Sequence, residues 1–196
     1  MKKLIVSSLA VLGLAVSGYS QGVITFDSSA GTGTVSINGV LDTAQDINAE
    51  LLLSSDGGVT FSPVVTLLLS ASSGPSGTIP FGSIQPAAGD VSSFGGVLYD
   101  NSGNGYQSAT IAAGTQVTLE VQGWLGNYSS LAAAFTAGQA TGTTATFTED
   151  LSAATSPILA AIGNMPNLNL VSTPEPTTFA IAGLGLASLL AIRRRK

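Results

Sequence analysis

The chain has 196 residues, of which 44% are hydrophobic and only 9% are charged, and it contains neither cysteine nor histidine. Its length is that of about one domain, since domains commonly run to roughly 100–200 residues. Because the chain has no thiol or imidazole group, it cannot contain disulfides, cysteine nucleophiles, a Ser-His-Asp arrangement or zinc sites built on cysteine or histidine.

Charge is distributed very unevenly. All six basic residues are terminal: Lys2, Lys3, Arg193, Arg194, Arg195 and Lys196. Ten of the eleven acidic residues lie between residues 21 and 173, a stretch without a single lysine or arginine. Because nucleic-acid binding depends on neutralising phosphates with basic side chains, this composition excludes a nucleic-acid partner.

Residues 1–20 have the layout of a signal peptide. Lys2 and Lys3 precede an apolar run at 4–16, and the segment ends in small and polar residues. Gly18 and Ser20 supply the small residues that precede a cleavage site, so we expect cleavage between Ser20 and Gln21. The predicted partners are the Sec translocon and signal peptidase. The alternative is a buried helix of the folded domain.

The C-terminal 24 residues have a three-part organisation. Pro174, Glu175 and Pro176 are followed by sixteen uncharged residues at 177–192 and then by the basic residues Arg193, Arg194, Arg195 and Lys196. A helix of this length spans about 24 Å, near the short limit for a hydrocarbon core of roughly 30 Å. The basic end is expected on the cytoplasmic side. The prolines disfavour helix, so the chain before the membrane should be accessible to a protease.

This organisation resembles the PEP-CTERM sorting signal of Gram-negative bacteria. The resemblance implies that exosortase, a membrane-embedded cysteine protease, processes the chain at Pro174, Glu175 and Pro176. It further implies a transient inner-membrane intermediate and a final place at the cell surface or in the extracellular matrix, associated with exopolysaccharide. The alternative is a plain membrane anchor that is never cut.

The region between the two signals, 21–172, is predicted to be all-β. Short β-branched and alternating runs recur between Gly, Ser, Asn and Pro clusters, which is typical of an antiparallel β-sandwich, here jelly-roll-like. Candidate strands are 23–27, 34–38, 49–54, 64–69, 77–81, 97–99, 108–112, 115–123, 143–149 and 168–171. Residues 56–58, Asp-Gly-Gly, predict a hairpin turn. Short helical insertions are expected at 128–138 and 156–163.

A second resemblance covers residues 45–150. The run 49–52 before the Asp-Gly-Gly turn, the alternating segment 114–124 and the segment 128–138 are similar to an uncharacterised region of verrucomicrobial-type PEP-CTERM proteins. No activity follows from that resemblance.

One loop has the beginning of a calcium-binding pattern. Asp100, Ser102 and Asn104 place oxygen atoms at alternate positions, and Gly105 follows in the sixth. An EF-hand needs a glutamate twelve residues in, where Ile111 stands, so only an irregular calcium loop is conceivable here. A tight Asn/Gly turn explains the same residues. No other cofactor is expected.

Trp124, the only tryptophan, ends the alternating run 115–123. Strict alternation places Glu120, Gln122 and Trp124 on one face, opposite the apolar side chains, and predicts a glycan contact on an exposed indole. A bulge at Gly123 would instead turn the indole into the core.

The carboxylates Glu120, Glu149 and Asp150 are the candidates for an acid/base pair of a glycoside hydrolase. No basic residue is available to organise such a site, and Glu149 and Asp150 stand at a strand end. Three function classes therefore remain: a structural surface protein, a carbohydrate-binding module using Trp124, and a hydrolase. We expect the first, a protein that is not an enzyme.

Overall fold

The computed structural model describes residues 21–42, 47–69, 78–85, 89–92, 96–100, 103–153 and 160–172. In these ranges the chain forms fifteen strands and one short helix, which confirms the all-β prediction. The strands are β1 (Gln21–Thr25), β2 (Val35–Ile37), β3 (Val40–Leu41), β4 (Ile47–Ser54), β5 (Ser62–Leu67), β6 (Thr78–Pro80), β7 (Ser83–Gln85), β8 (Gly89–Ser92), β9 (Val97–Asp100), β10 (Gly105–Ala112), β11 (Gln116–Leu125), β12 (Ala140–Thr143), β13 (Phe147–Asp150), β14 (Ser152–Ala153) and β15 (Leu168–Ser172). The helix is α1 (Leu131–Thr136).

The strands form three sheets. The nine-stranded sheet has the order β3-β2-β15-β12-β11-β4-β5-β7, with β13 paired to β11 beside this path. The second sheet has the order β14-β1-β10-β6, and β8 pairs with β9 alone. Three pairs are parallel, namely β10 with β6, β15 with β2 and β5 with β7. The prediction of a purely antiparallel sandwich is therefore wrong in these pairs, because each parallel partner returns through a long connection rather than a hairpin.

The two larger sheets share one hydrophobic core. Ile24 and Tyr106 enter it from the four-stranded sheet, and Leu51, Leu119 and Leu170 enter it from the nine-stranded sheet. All five side chains are fully buried. The alternation along β11 follows directly from this arrangement, since one side of each strand must face the core.

The predicted hairpin turn at 56–58 is confirmed between the antiparallel strands β4 and β5. Gly57 and Gly58 have φ of 76° and 95°, a conformation that side chains disfavour. Asp56 organises the turn by accepting hydrogen bonds from the Ser54 hydroxyl and from the amide and hydroxyl of Thr60. The Ser54 bond, followed by those of Thr60, lowers the pKa of the Asp56 carboxyl below its ordinary value.

The predicted strand at 143–149 is two strands, β12 and β13. Both pair with β11, β12 at residues 122–124 and β13 at residues 116–119. Between them, buried Thr144 donates its amide to the Val121 carbonyl, and its hydroxyl accepts the Val121 amide at 3.0 Å. The Thr144 side chain thus replaces one backbone hydrogen bond of the sheet. This replacement lets the chain end the pairing of β12 with β11 and begin that of β13.

Strand β15 lies inside the nine-stranded sheet, between β12 and β2. Leu168 and Leu170 point into the core and are fully buried. The opposite face carries Asn169, whose side-chain oxygen accepts the Ser36 hydroxyl at 2.9 Å and the Gly39 amide at 3.0 Å. These contacts join the end of the described chain to residues about 130 positions earlier.

Helix α1 lies within the predicted insertion at 128–138. The Ser130 hydroxyl caps its first turn by accepting the Ala133 amide, and Gly138, with φ of 74°, follows its last turn. Of the second expected insertion, at 156–163, residues 156–159 lie outside the described residues, and the described part, 160–163, is not helical.

Both predicted addressing segments, 1–20 and 173–196, also lie outside the described residues. Within the ranges that the structure describes, no helix has the length and apolar character needed to cross a membrane.

Candidate functional site

The outer face of the nine-stranded sheet contains the candidate site. Strands β4 and β11 pair in continuous register from Ser54 opposite Thr118 to Ile47 opposite Leu125. Because side chains alternate, Leu51 and Val121 face the core and the intervening residues face outward. Three outward pairs follow one another: Leu52 with Glu120, Glu50 with Gln122, and Asn48 with Trp124.

Four outward residues form two neighbouring hydrogen-bonded pairs, which together we call the polar strip: Glu50, Thr66, Glu120 and Gln122. The Thr66 hydroxyl on β5 donates to Glu50 Oε1 at 2.7 Å, and Gln122 Nε2 donates to Glu120 Oε1 at 3.1 Å. Glu50 and Glu120 are diagonal neighbours across the strand pair, a relation that places Cα atoms about 7–8 Å apart. Both carboxylates are partly exposed, so they can meet a ligand in solution.

Trp124 shares this outward face, as strict alternation predicts, but its side chain is 0% exposed. The indole is therefore buried, as the second interpretation of the sequence has it, and the alternative of a glycan contact on an exposed Trp124 is wrong. A bulge is not the reason, because the pairing of Gly123 with Ala49 and of Trp124 with Asn48 is uninterrupted.

The indole is buried because the chain folds back over the end of β11. Trp124 Nε1 donates to the Tyr128 carbonyl at 2.8 Å, and helix α1 packs against β11 and β12 with Ala134 buried. Beside it, buried Asn48 donates to the Gly126 carbonyl at 2.6 Å and accepts the Leu69 amide at 2.9 Å. The tryptophan thus holds the 126–139 segment on the sheet.

The three carboxylates considered for hydrolysis are not brought together. Glu149 pairs with Val117, a core-facing position, and its Oε1 accepts the Asn164 amide. Asp150 pairs with Gln116, four residues from Glu120 along β11, which corresponds to about 13 Å. The carboxylate nearest Glu120 in the register is instead Glu50, which sequence analysis did not single out.

The candidate calcium loop is organised around a tyrosine. The Tyr106 hydroxyl donates to Asp100 Oδ2, and both side chains are buried. Burial, strengthened by the hydrogen bond to Asp100, raises the pKa of Tyr106 above its ordinary value. Asn104 is also buried and bonds the same hydroxyl, whereas Ser102 lies outside the described residues. Among the described residues, no three acidic side chains are grouped as metal ligands.

The remaining predicted site residues lie at the chain ends. Gln21 begins β1 and is exposed, while Ser20 lies outside the described residues. Pro174, Glu175, Pro176 and the basic residues Arg193, Arg194, Arg195 and Lys196 also lie outside them. Pro174 nevertheless follows the last residue of β15 by only two positions, so the sorting motif begins directly after the described fold.

The burial of Trp124 predicts a specific fluorescence. Because it is the only tryptophan, emission from the native chain should be blue-shifted and protected from acrylamide quenching, and oligosaccharides should leave it unchanged. The urea-unfolded chain serves as the exposed reference. Native emission as red-shifted and as readily quenched as that reference would contradict the buried position.

Comparisons with known proteins identify only the C-terminal end. A family model described as the PEP-CTERM protein-sorting motif matches residues 172–196. No curated protein and no solved structure matches the chain, and nothing supports the second resemblance, at 45–150. The motif implies export, processing by exosortase and a cell-surface or extracellular fate.

Proposed function

We propose that this chain is a structural protein of the cell surface or extracellular matrix, without enzymatic activity and associated with exopolysaccharide. Signal peptidase removes 1–20 after Sec-dependent export. The apolar 177–192 segment then holds the chain briefly in the inner membrane, with Arg193–Lys196 on the cytoplasmic side. Exosortase cuts at Pro174-Glu175-Pro176 and releases the domain outward. The observation that carries this proposal is the sorting-motif match at 172–196.

The fold is compatible with cleavage at that motif. Strand β15 ends at Ser172, so a cut at or after Pro174 leaves each described strand intact. Because β15 supplies buried Leu168 and Leu170, a cut only a few residues earlier would remove part of the core. The sorting motif thus begins just beyond the last strand of the described domain.

The proposed matrix association depends on charge. The 21–173 region has ten acidic residues and no basic one, so it should be repelled by anionic polysaccharide unless divalent cations bridge the two. Glu50 and Glu120 are the two carboxylates that the sheet places as neighbours on an accessible face. We assign them to calcium-bridged contact, in place of the contact expected from Trp124.

Processing is tested by replacing Pro174-Glu175-Pro176 with three alanines in a host that has the sorting machinery. The wild-type chain should lose its tail, by intact mass, and reach the surface fraction, whereas the variant should stay full-length in the inner membrane. If both chains keep the tail and fractionate alike, the motif is a plain anchor and the proposal fails.

Matrix association is tested by retention on the host's purified exopolysaccharide. Retention should rise with calcium, disappear on chelation and fall at least about tenfold in the Glu50→Gln/Glu120→Gln variant, equivalent to about 1.4 kcal/mol. Asp150→Asn, which changes an exposed carboxylate far from the polar strip, is the matched control and should bind like wild type. Retention that ignores chelation, or that falls equally in the control, would overturn the assignment.

A further inference from the structure

One end of the nine-stranded sheet contains the point where the described chain leaves the fold. Ser172 pairs there with Ala140 at the start of β12, and its amide donates to Asn38 Oδ1 at 3.1 Å in the β2–β3 turn. Helix α1, which connects β11 to β12, packs at the same end. We call this surface the exit end and define it by residues 38–41, 131–136 and 171–172.

The exit end concentrates exposed apolar side chains. Of the five large hydrophobic residues exposed in the described ranges, four lie there: Val40, Leu41, Phe135 and Val171, at 71%, 47%, 54% and 49% exposure. The fifth, Val59, lies in the β4–β5 turn at the opposite end of the strands. Singly exposed apolar residues are common, so their grouping beside the chain exit is the informative feature.

The acidic side chains have the opposite distribution. Segments 28–41, 121–148 and 151–172, which contain the exit end, have no charged residue. Asp56, Glu149 and Asp150 lie at the far end of the same strands. Asp42, next to Leu41, is buried, and Asp46 lies outside the described residues. The fully exposed acids of the nine-stranded sheet, Asp56 and Asp150, therefore lie away from the chain exit, and the partly exposed Glu50 and Glu120 lie midway along their strands.

The connection from the exit end to the apolar run is short. Only residues 173–176 separate Ser172 from Thr177. Five consecutive Cα–Cα steps span at most about 18 Å, even when fully extended. When the 177–192 segment is inserted in the membrane, the exit end therefore stays within about two Debye lengths of the lipid headgroups at physiological salt.

We propose that, while the chain is tethered, the exit end rests on the outer leaflet of the membrane, with Phe135 and Val40 reaching the headgroup region. This depends on the proposed function, because the tether is the inserted 177–192 segment. A few apolar side chains bind lipid weakly on their own, but a short tether raises their effective concentration to the millimolar range. The charge polarity favours the same orientation, since anionic lipids repel the acidic end.

Cleavage at the sorting motif then has a second consequence. Once the chain is cut at the sorting motif, the tether is lost and the apolar contact alone is too weak to retain an acidic domain at an anionic surface. Cutting therefore releases the domain from the lipid as well as from its inserted tail.

The test uses the full chain in vesicles of phosphatidylethanolamine and phosphatidylglycerol, without any other protein. Because the chain has no cysteine, single labelling sites are introduced as Phe135→Cys or Val40→Cys at the exit end, Val59→Cys as the matched exposed control, and Ala187→Cys in the apolar run. Each is labelled with the environment-sensitive fluorophore NBD and quenched by headgroup-spin-labelled lipid. Blue-shifted Trp124 emission verifies that each variant is folded.

Labels at 135 and 40 should be quenched at least about twofold more than the label at 59, as expected for side chains at the interface. Equal quenching at 135, 40 and 59, together with an Ala187→Cys label buried in the bilayer, would overturn the membrane contact and leave the tether intact. An Ala187→Cys label that stays in water would overturn both the tether and the contact.

Discussion

Strand β15 occupies the position on which much of the described fold depends. In the hydrogen-bonding order of the nine-stranded sheet, β2 and β3 reach the other strands only through it. Its two buried leucines fill the core, and its asparagine and terminal serine bond to the β2–β3 turn. Since this strand is nearly the last part of the domain to be translated, the sheet can close only after residues 21–172 have crossed the membrane.

This order links folding to sorting. The long-range parallel pairing of β15 with β2 requires a large loop to close, which is slow compared with local hairpin formation. In the proposed processing, a tail segment held in the membrane would give the chain time to complete that pairing before exosortase releases it. The proposed contact of the exit end with lipid belongs to the same interval, because it requires both a completed β15 and an uncut tether.

Local sequence signals predicted a large part of the fold. Each of the ten candidate segments overlaps a strand, and the Asp-Gly-Gly turn was recognisable because its glycines must adopt positive φ. The strands that escaped prediction are short, such as β3 and β14, and two residues carry too little alternation to be recognised. The parallel pairs escaped for a different reason: local patterns contain no information about which distant strand a segment will join.

In the candidate site, too, the local pattern was predictable and the long-range contacts were not. Alternation placed Glu120, Gln122 and Trp124 on one face, but whether that face is open or covered depends on how residues 126–139 fold back. Glu50 became Glu120's neighbour only through the register of β4 on β11. The sorting segment, by contrast, was recognisable from sequence because its function lies in a linear order of prolines, apolar residues and basic residues.

The most direct test of the role of β15 compares two adjacent residues that point in opposite directions. Leu170 is fully buried and Val171 is 49% exposed, so Leu170→Ala should lower the free energy of unfolding by about 2–5 kcal/mol, against about 0.5 kcal/mol or less for Val171→Ala. Urea unfolding followed by Trp124 emission measures both. That difference would establish β15 as part of the core; small, equal losses would show that the strand before the sorting motif is peripheral and that the domain closes without it.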